Sequence, residues 1–296
     1  MHELQRMALF CDIEAFCQAF VPVYHRHLLL TGQCHRLRQP ALGLSEMMTL
    51  LVSFPWSPYR TCNHYSLDSV VPPLRPYFPT CVRSSRFVEL MPRALGPLCG
   101  SLHTRKGRCT GMAFIDSTPL AVCHHRRIAA PKVFAGWATR GKTSMGWCYG
   151  FQLHLLVHDA GERLALHLTP GHGDDRQPVP ILALALCGQL CGDRGYISQP
   201  WHDVLCAHGL ALLTKVRQTM KNRLRRLWDK LRLRKRPLLE PLNDQLKTIS
   251  QIAHTRHRSV TGFMVNLRAG LIAYTYRPRK PSLGLRRTPT LPVLVV

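Results

Sequence analysis

Cys148-Tyr-Gly-Phe-Gln-Leu-His-Leu-Leu-Val157 sets Tyr149, Phe151, Leu153, Leu155 and Val157 on one parity and Cys148, Gly150, Gln152 and His154 on the other. A period of two is the side-chain period of extended chain, so this stretch predicts a strand. After the turn-forming Asp159-Ala-Gly161, Leu164, Leu166 and Leu168 resume the alternation. Two alternating runs around a short turn predict a β-hairpin.

Working outward, Met112-Ala-Phe-Ile-Asp116 and Leu190-Cys-Gly-Asp193 are short apolar runs that each end in an acid, the pattern of buried strands. Val179–Cys187, with Pro178 and Pro180 at its start, predicts a helix, because proline suits a first turn. A helix over Pro200–His208, a strand over Ala211–Thr214 and a long helix complete the series. That order predicts an α/β sandwich with a mixed sheet flanked by helices. It sets Asp116 and Asp193 at the C-terminal ends of two strands, where α/β sheets carry their sites.

Residues 1–110 predict a helical region instead. Ile13, Phe16, Cys17, Phe20 and Val21 share a helical face that Pro22 is expected to end. Leu44, Met47, Met48 and Leu51 repeat the pattern with Ser45 as a cap, and Phe87, Leu90 and Met91 suggest a third helix. Prolines 55, 58, 72, 73, 76 and 79 break the stretch between them. The expected divisions are 1–110, an α/β domain at 111–275, and a tail at 276–296.

Lys and Arg number 40 against 16 Asp and Glu, a formal charge of +24. A chain that repels itself this strongly calls for a polyanion, and nucleic acid is the commonest. A membrane surface would call for an apolar anchor. The longest apolar run, Val179 to Cys191, is interrupted by Pro180, Gly188 and Gln189 and is too short to span a bilayer. The N-terminus carries acids where a signal peptide has a basic region, so a cytoplasmic or nucleoid location without membrane contact is expected. Lys215 to Arg236 holds eleven basic residues against Asp229. Such density points to phosphate contact, with Lys221, Arg223, Arg225 and Arg226 in the middle of the run. The twelve cysteines form no CxxC pair and are expected as buried thiols rather than disulfides or zinc ligands.

Two strand-end acids and a third on a later helix can converge on one cavity. Crowded carboxylates repel unless cations neutralise them, and hard oxygen ligands select magnesium or manganese. Two such ions about 4 Å apart can activate an attacking oxygen and stabilise the leaving oxygen of a phosphodiester. A single strand-end Asp is more often a turn or cap residue. Asp174 and Asp175 are expected to cap the following helix, and nothing in the sequence gives them a part in a metal site. His154 and His158 lie four apart on strand-like sequence, which argues against a helical metal pair.

Phe114-Ile-Asp116-Ser-Thr-Pro119, Gly192-Asp193-Arg-Gly-Tyr196, and Leu239-Glu240 through Leu246-Lys247 resemble the three acidic motifs of bacterial insertion-sequence transposases of the DDE type. His254-Thr-Arg-His-Arg-Ser259, followed by Phe263 to Tyr274, is similar to one small subfamily of them. The resemblance spans roughly residues 40 to 285. It implies an RNase H-like core at 111–275 in which Asp116, Asp193 and Glu240 are the catalytic acids and the ligands of Mg2+, with Mn2+ able to substitute. Residues 1–110 are expected to serve DNA binding or assembly. It also implies metal-dependent cleavage of double-stranded DNA at element ends, strand transfer into target DNA, and a homo-oligomer assembled on that DNA.

The wider group shares a Tyr, an Arg four residues before the Glu and a Lys seven after it; Arg236 and Lys247 match, and Leu233 stands at the Tyr position. Seven residues on, Lys247 would share a helix face with Glu240 and meet a DNA phosphate. Pro241 disfavours helical backbone at Glu240, so the helix is expected to begin at Pro241 with Glu240 as its cap. Arg256 and Arg258, beside His254 and His257, read equally as DNA-backbone contacts and as structural pairs. Two further readings stay open: a copy that grips DNA without cutting it, and a plain nuclease without strand transfer.

Overall fold

The hairpin forms and occupies the middle of the sheet. In this computed structural model, residues 3–34, 36, 41–65, 77–79, 82–123, 132–143, 146–183, 186–214, 233–234, 236–253 and 257–283 are described. Strands β1 (Met112–Cys123), β2 (Thr139–Thr143), β3 (Gly146–His158), β4 (Arg163–Pro170), β5 (Gly188–Gly192) and β6 (Leu210–Thr214) form one mixed sheet. The order is β2-β3-β1-β5-β6. β1 runs antiparallel along one edge of β3, while the other edge is divided, Gly146–Gly150 pairing with β2 and Phe151–Val157 with β4. β5 pairs parallel to β1, and β6 parallel to β5. Gly161 turns the β3–β4 hairpin at φ 74, a left-handed conformation that glycine adopts without a Cβ penalty.

Two features of the sheet depart from expectation. β2, Thr139-Arg-Gly-Lys-Thr143, has no apolar alternation to mark it in the sequence; it forms because β3 runs thirteen residues and offers a partner edge. For the same reason β1 continues past Asp116 to Cys123. Asp116 therefore sits within β1 rather than at its end, two residues beyond the last pair with β5, Phe114–Cys191.

Both faces of the sheet are covered. On one, Ala113, Ile115, Leu156, Leu190 and Leu212 pack with Val179 and Leu182 of α5 (Val179–Ala183) and Leu205 of α6 (Gln199–Ala207). On the other, Phe114, Leu120, Phe151, Leu153 and Leu155 share a core with the N-terminal helices and with α8 (Val260–Thr275). Phe263 of α8 stacks on Phe151 with centroids 5.0 Å apart. Burying each such ring contributes about 1.5–3 kcal/mol. Double coverage explains why β3 buries both parities from Leu153 onward, His154 and His158 included.

The N-terminal helices are α1 (Glu3–Leu30), α2 (Leu44–Ser53), α3 (Ser84–Leu90) and α4 (Leu95–Thr104). Pro22 does not end α1, which continues eight residues beyond it. Phe16, Phe20 and Tyr24 stack at successive turns across the proline, 4.9 and 5.3 Å between centroids. Gly96 and Gly100 of α4 let that ladder approach closely; a Cβ on Gly100 would lie 2.6 Å from the Phe20 ring. Packing thus outweighs the missing backbone donor. Ser45 does not cap α2: the chain enters at Gly43, whose N–H donates to the Glu46 carboxylate at 2.7 Å. By length and composition, residues Leu4–Leu30 could cross a membrane, a run longer than the one singled out from the sequence. Leu9, Ile13 and Cys17 on its inner side are buried in the shared core.

The helix expected over Val179–Cys187 falls short of that range: Val179–Ala183 is helical, and Leu186 and Cys187 are not. After β6, residues 215–232 lie outside the described chain; α7 (Leu239–Asp244) then runs into a π-helical turn, Gln245–Ile249. The eleven described cysteines are all free, but only Cys17 and Cys191 are fully buried, so the expectation of buried thiols holds for a minority.

Candidate metal centre

β1 and β5 are parallel neighbours whose last pair is Phe114–Cys191, so Asp116 and Asp193 each lie two residues beyond it. Asp193 follows β5 directly and opens the 3-10 turn Arg194–Tyr196, its carbonyl accepting from the Tyr196 N–H at 3.1 Å. Both acids are half-buried. Asn243 of α7 donates from Nδ2 to Asp116 Oδ2 at 3.0 Å. One turn on, Lys247 is half-buried, and burial lowers its pKa while Asp244, Asp116 and the Cys148 thiol favour its charge.

Glu240 lies in the first turn of α7 and is exposed. Pro241 does not displace it from the helix, because first-turn N–H groups have no intrahelical acceptor and a proline there forfeits nothing. The residue of α7 that reaches Asp116 is Asn243, three positions along the same face. Sequence reasoning passed over Asn243, although its place between Glu240 and Lys247 on one helical stripe was the available signal.

Asp174 and Asp175 do not cap the next helix, which begins at Val179. Asp174 closes a tight turn, accepting the Arg176 N–H at 2.9 Å and its Nε–H at 3.0 Å. Asp175 turns inward. Burial and the carboxylates of Asp116, Asp174 and Asp193 push it above the usual carboxylate range, against a hydrogen bond from Ser117. An open cavity of about 640 Å³ runs beside it, lined by Arg140, Lys142, Trp147, His172 and Arg176. The Arg140 guanidinium lies 4.4 Å over the Trp147 ring. This cationic wall stands on β2 and the loop after β4 and left no periodic mark in the sequence.

Asp116, Asp175 and Asp193 offer only hard oxygen donors, their negative charge is mutually unfavourable, and Asp175 keeps one buried oxygen, Oδ1, without a hydrogen bond. Those features fit a magnesium-type cation. Among the described residues, however, no three His, Cys, Asp or Glu side chains already converge closely enough to hold one. Lys221, Arg223, Arg225, Arg226 and Arg256 lie outside the described residues, as does the Arg236 side chain. Arg258 is exposed just before α8.

Three antiparallel strands, β4-β3-β1, followed by the parallel pair β5-β6 and flanked by helices on both faces, define an RNase H-like fold. A family described as Transposase DDE domain matches residues 106–260, and the chain belongs to it. Its partner is accordingly DNA, and members of the family typically use a divalent metal. No curated protein and no solved structure matches the chain.

Proposed function

We propose that this protein cuts double-stranded DNA at the ends of an insertion sequence and joins the freed 3′-hydroxyl to target DNA. Asp116, Asp193 and Glu240 are its metal-holding acids. The observation that supports the reading is the parallel β1–β5 pairing, whose last pair, Phe114–Cys191, lies two residues before both Asp116 and Asp193. When bound, Mg2+, or Mn2+ in its place, would supply activation of the attacking oxygen and stabilisation of the leaving one. Asn243 orients the Asp116 carboxylate through its hydrogen bond. Lys247, beside Asp116, meets the phosphate of the strand held there. Arg140, Lys142 and Arg176 hold the backbone across the adjoining cavity, and the exposed Trp147 ring gives a base a surface to stack on.

In this reading residues 1–110 serve DNA binding and assembly of a homo-oligomer on DNA, 111–275 form the catalytic unit, and 276–296 are a tail. Lys221, Arg223, Arg225, Arg226, Arg236, Arg256 and Arg258 contact DNA, and the protein works at the nucleoid in the cytoplasm. A second reading, a copy that grips DNA without cutting it, is favoured by the exposure of Glu240.

Cleavage of DNA carrying the element ends decides between them. Asp116→Asn removes a charged ligand and should abolish cutting with either metal while leaving DNA binding intact. Wild-type protein that binds such DNA but never cuts it is the non-cutting copy; undiminished cutting by Asp116→Asn overturns the assignment of Asp116.

A further inference from the structure

Asp175 belongs to neither β1 nor the turn after β5, yet it lies against both. The loop after β4 carries it to the point where β1 and β5 part. There the Ser117 hydroxyl, next to Asp116, donates to its carboxylate. On the other side lies Gly195, in the turn opened by Asp193; a Cβ on Gly195 would be 3.3 Å from Asp175 Oδ2. The side chain is 29% exposed, and its Oδ1 is buried without a hydrogen bond. Arg176, the adjacent cation, is engaged by Asp174 instead. An aspartate kept for stability would take such a partner; this one is held among other acids.

A second feature points to the same oxygen. His154 is fully buried in β3, and its Nδ1, which has no hydrogen-bond partner, faces Asp175 Oδ1 at 4.0 Å. Its Nε2 lies 2.9 Å from the Thr169 hydroxyl on β4. A neutral imidazole has one N–H to give. The tautomer in which Thr169 donates to Nε2 puts the ring proton on Nδ1, facing Asp175. Closing that gap to the usual N–H···O length takes a shift of about 1 Å. Donors behind a carboxylate that hold it toward a cation are the usual outer shell of a metal ligand.

We infer that Asp175 is a further carboxylate ligand of the divalent cation, beside Asp116 and Asp193, and that His154, set by Thr169, is its positioning residue. The inference rests on the reading of Asp116 and Asp193 as metal ligands. A ligand built this way is a source of repulsion until the cation arrives, which gives it a signature that does not depend on cutting.

The test is Mn2+ binding to the full chain by electron paramagnetic resonance, with melting temperature measured with and without Mn2+. Asp175→Asn should weaken Mn2+ binding by about tenfold or more. It should also melt at a higher temperature than wild type without metal and gain less on adding it. His154→Asn, whose Nδ2 replaces the ring Nδ1, should keep most of the affinity. His154→Gln, which presents its amide toward Thr169 instead, should lose about tenfold. If Asp175→Asn binds Mn2+ as wild type does while Asp116→Asn does not, Asp175 is no ligand and the reading of Asp116 stands. A metal-free Asp175→Asn that melts lower or fails to fold marks a structural aspartate and overturns the inference. Equal losses in the two His154 variants overturn the positioning role, and unchanged binding in Asp116→Asn overturns the reading beneath both.

Discussion

Lys247 stands between two demands. Half-buried beside α7, its ammonium loses hydration, and Asp244 and Asp116 restore part of what burial removes. A lysine that only neutralised Asp116 would be dispensable for DNA. One that meets phosphate displaces a condensed counterion, and each such contact contributes about one to the slope of log affinity against log salt. Lys247→Gln should therefore lower that slope by about one and weaken binding at low salt uniformly across sequences. Titrations at several salt concentrations measure it; a slope equal to wild type would confine Lys247 to the protein's own acids.

Among the elements, α1 tolerates an internal proline because its partners hold both sides of it. Proline in a helix interior costs about 3 kcal/mol relative to alanine. Pro22 itself is exposed, so replacing it removes no buried contact. The Phe16–Phe20–Tyr24 ladder against α4 keeps the helix continuous regardless. Pro22→Ala should stabilise the protein by about 1–3 kcal/mol in chemical denaturation. A loss of stability would mean that the bend at Pro22 is needed to seat the ladder on α4.

Across the whole molecule, three distant segments meet at Asp12. Its carboxylate on α1 accepts from Arg105, at the end of α4, and from the Tyr276 hydroxyl, just after α8. The Arg105 guanidinium also lies 4.3 Å over the Tyr276 ring. Burial works to raise the Asp12 carboxyl, but these hydrogen bonds and the Arg105 charge hold it below its ordinary 3.8. With its folded value depressed, Asp12 stabilises the fold fully above that range and loses its effect as pH falls through the lowered value. Its side chain is 52% exposed, so screening limits the contribution to about 1 kcal/mol or less. Asp12→Asn should be less stable than wild type by up to that amount at pH 7, and the difference should vanish in acid. A difference that persists below the carboxyl's titration would assign the effect to shape rather than charge.

Local chemistry wrote much of this protein into its sequence. The alternation in β3 and β4, the turn at Gly161, the short apolar runs of β1 and β5 and the +24 charge can each be read from neighbouring residues, because period and composition act over a few residues at a time. So could the spacing of Glu240 and Lys247, although Lys247 falls in the π-helical turn that follows α7. What required the tertiary structure was every feature supplied by a distant partner. β2 and the far half of β1 exist because β3 offers them an edge. α1 survives Pro22 because α4 meets its aromatic ladder. Asp175 faces Asp116 and Asp193 rather than capping a helix because Ser117, Gly195 and His154, from three other segments, surround it. A single residue's neighbours in sequence fix its backbone preference; only the folded chain decides which charges it must share space with.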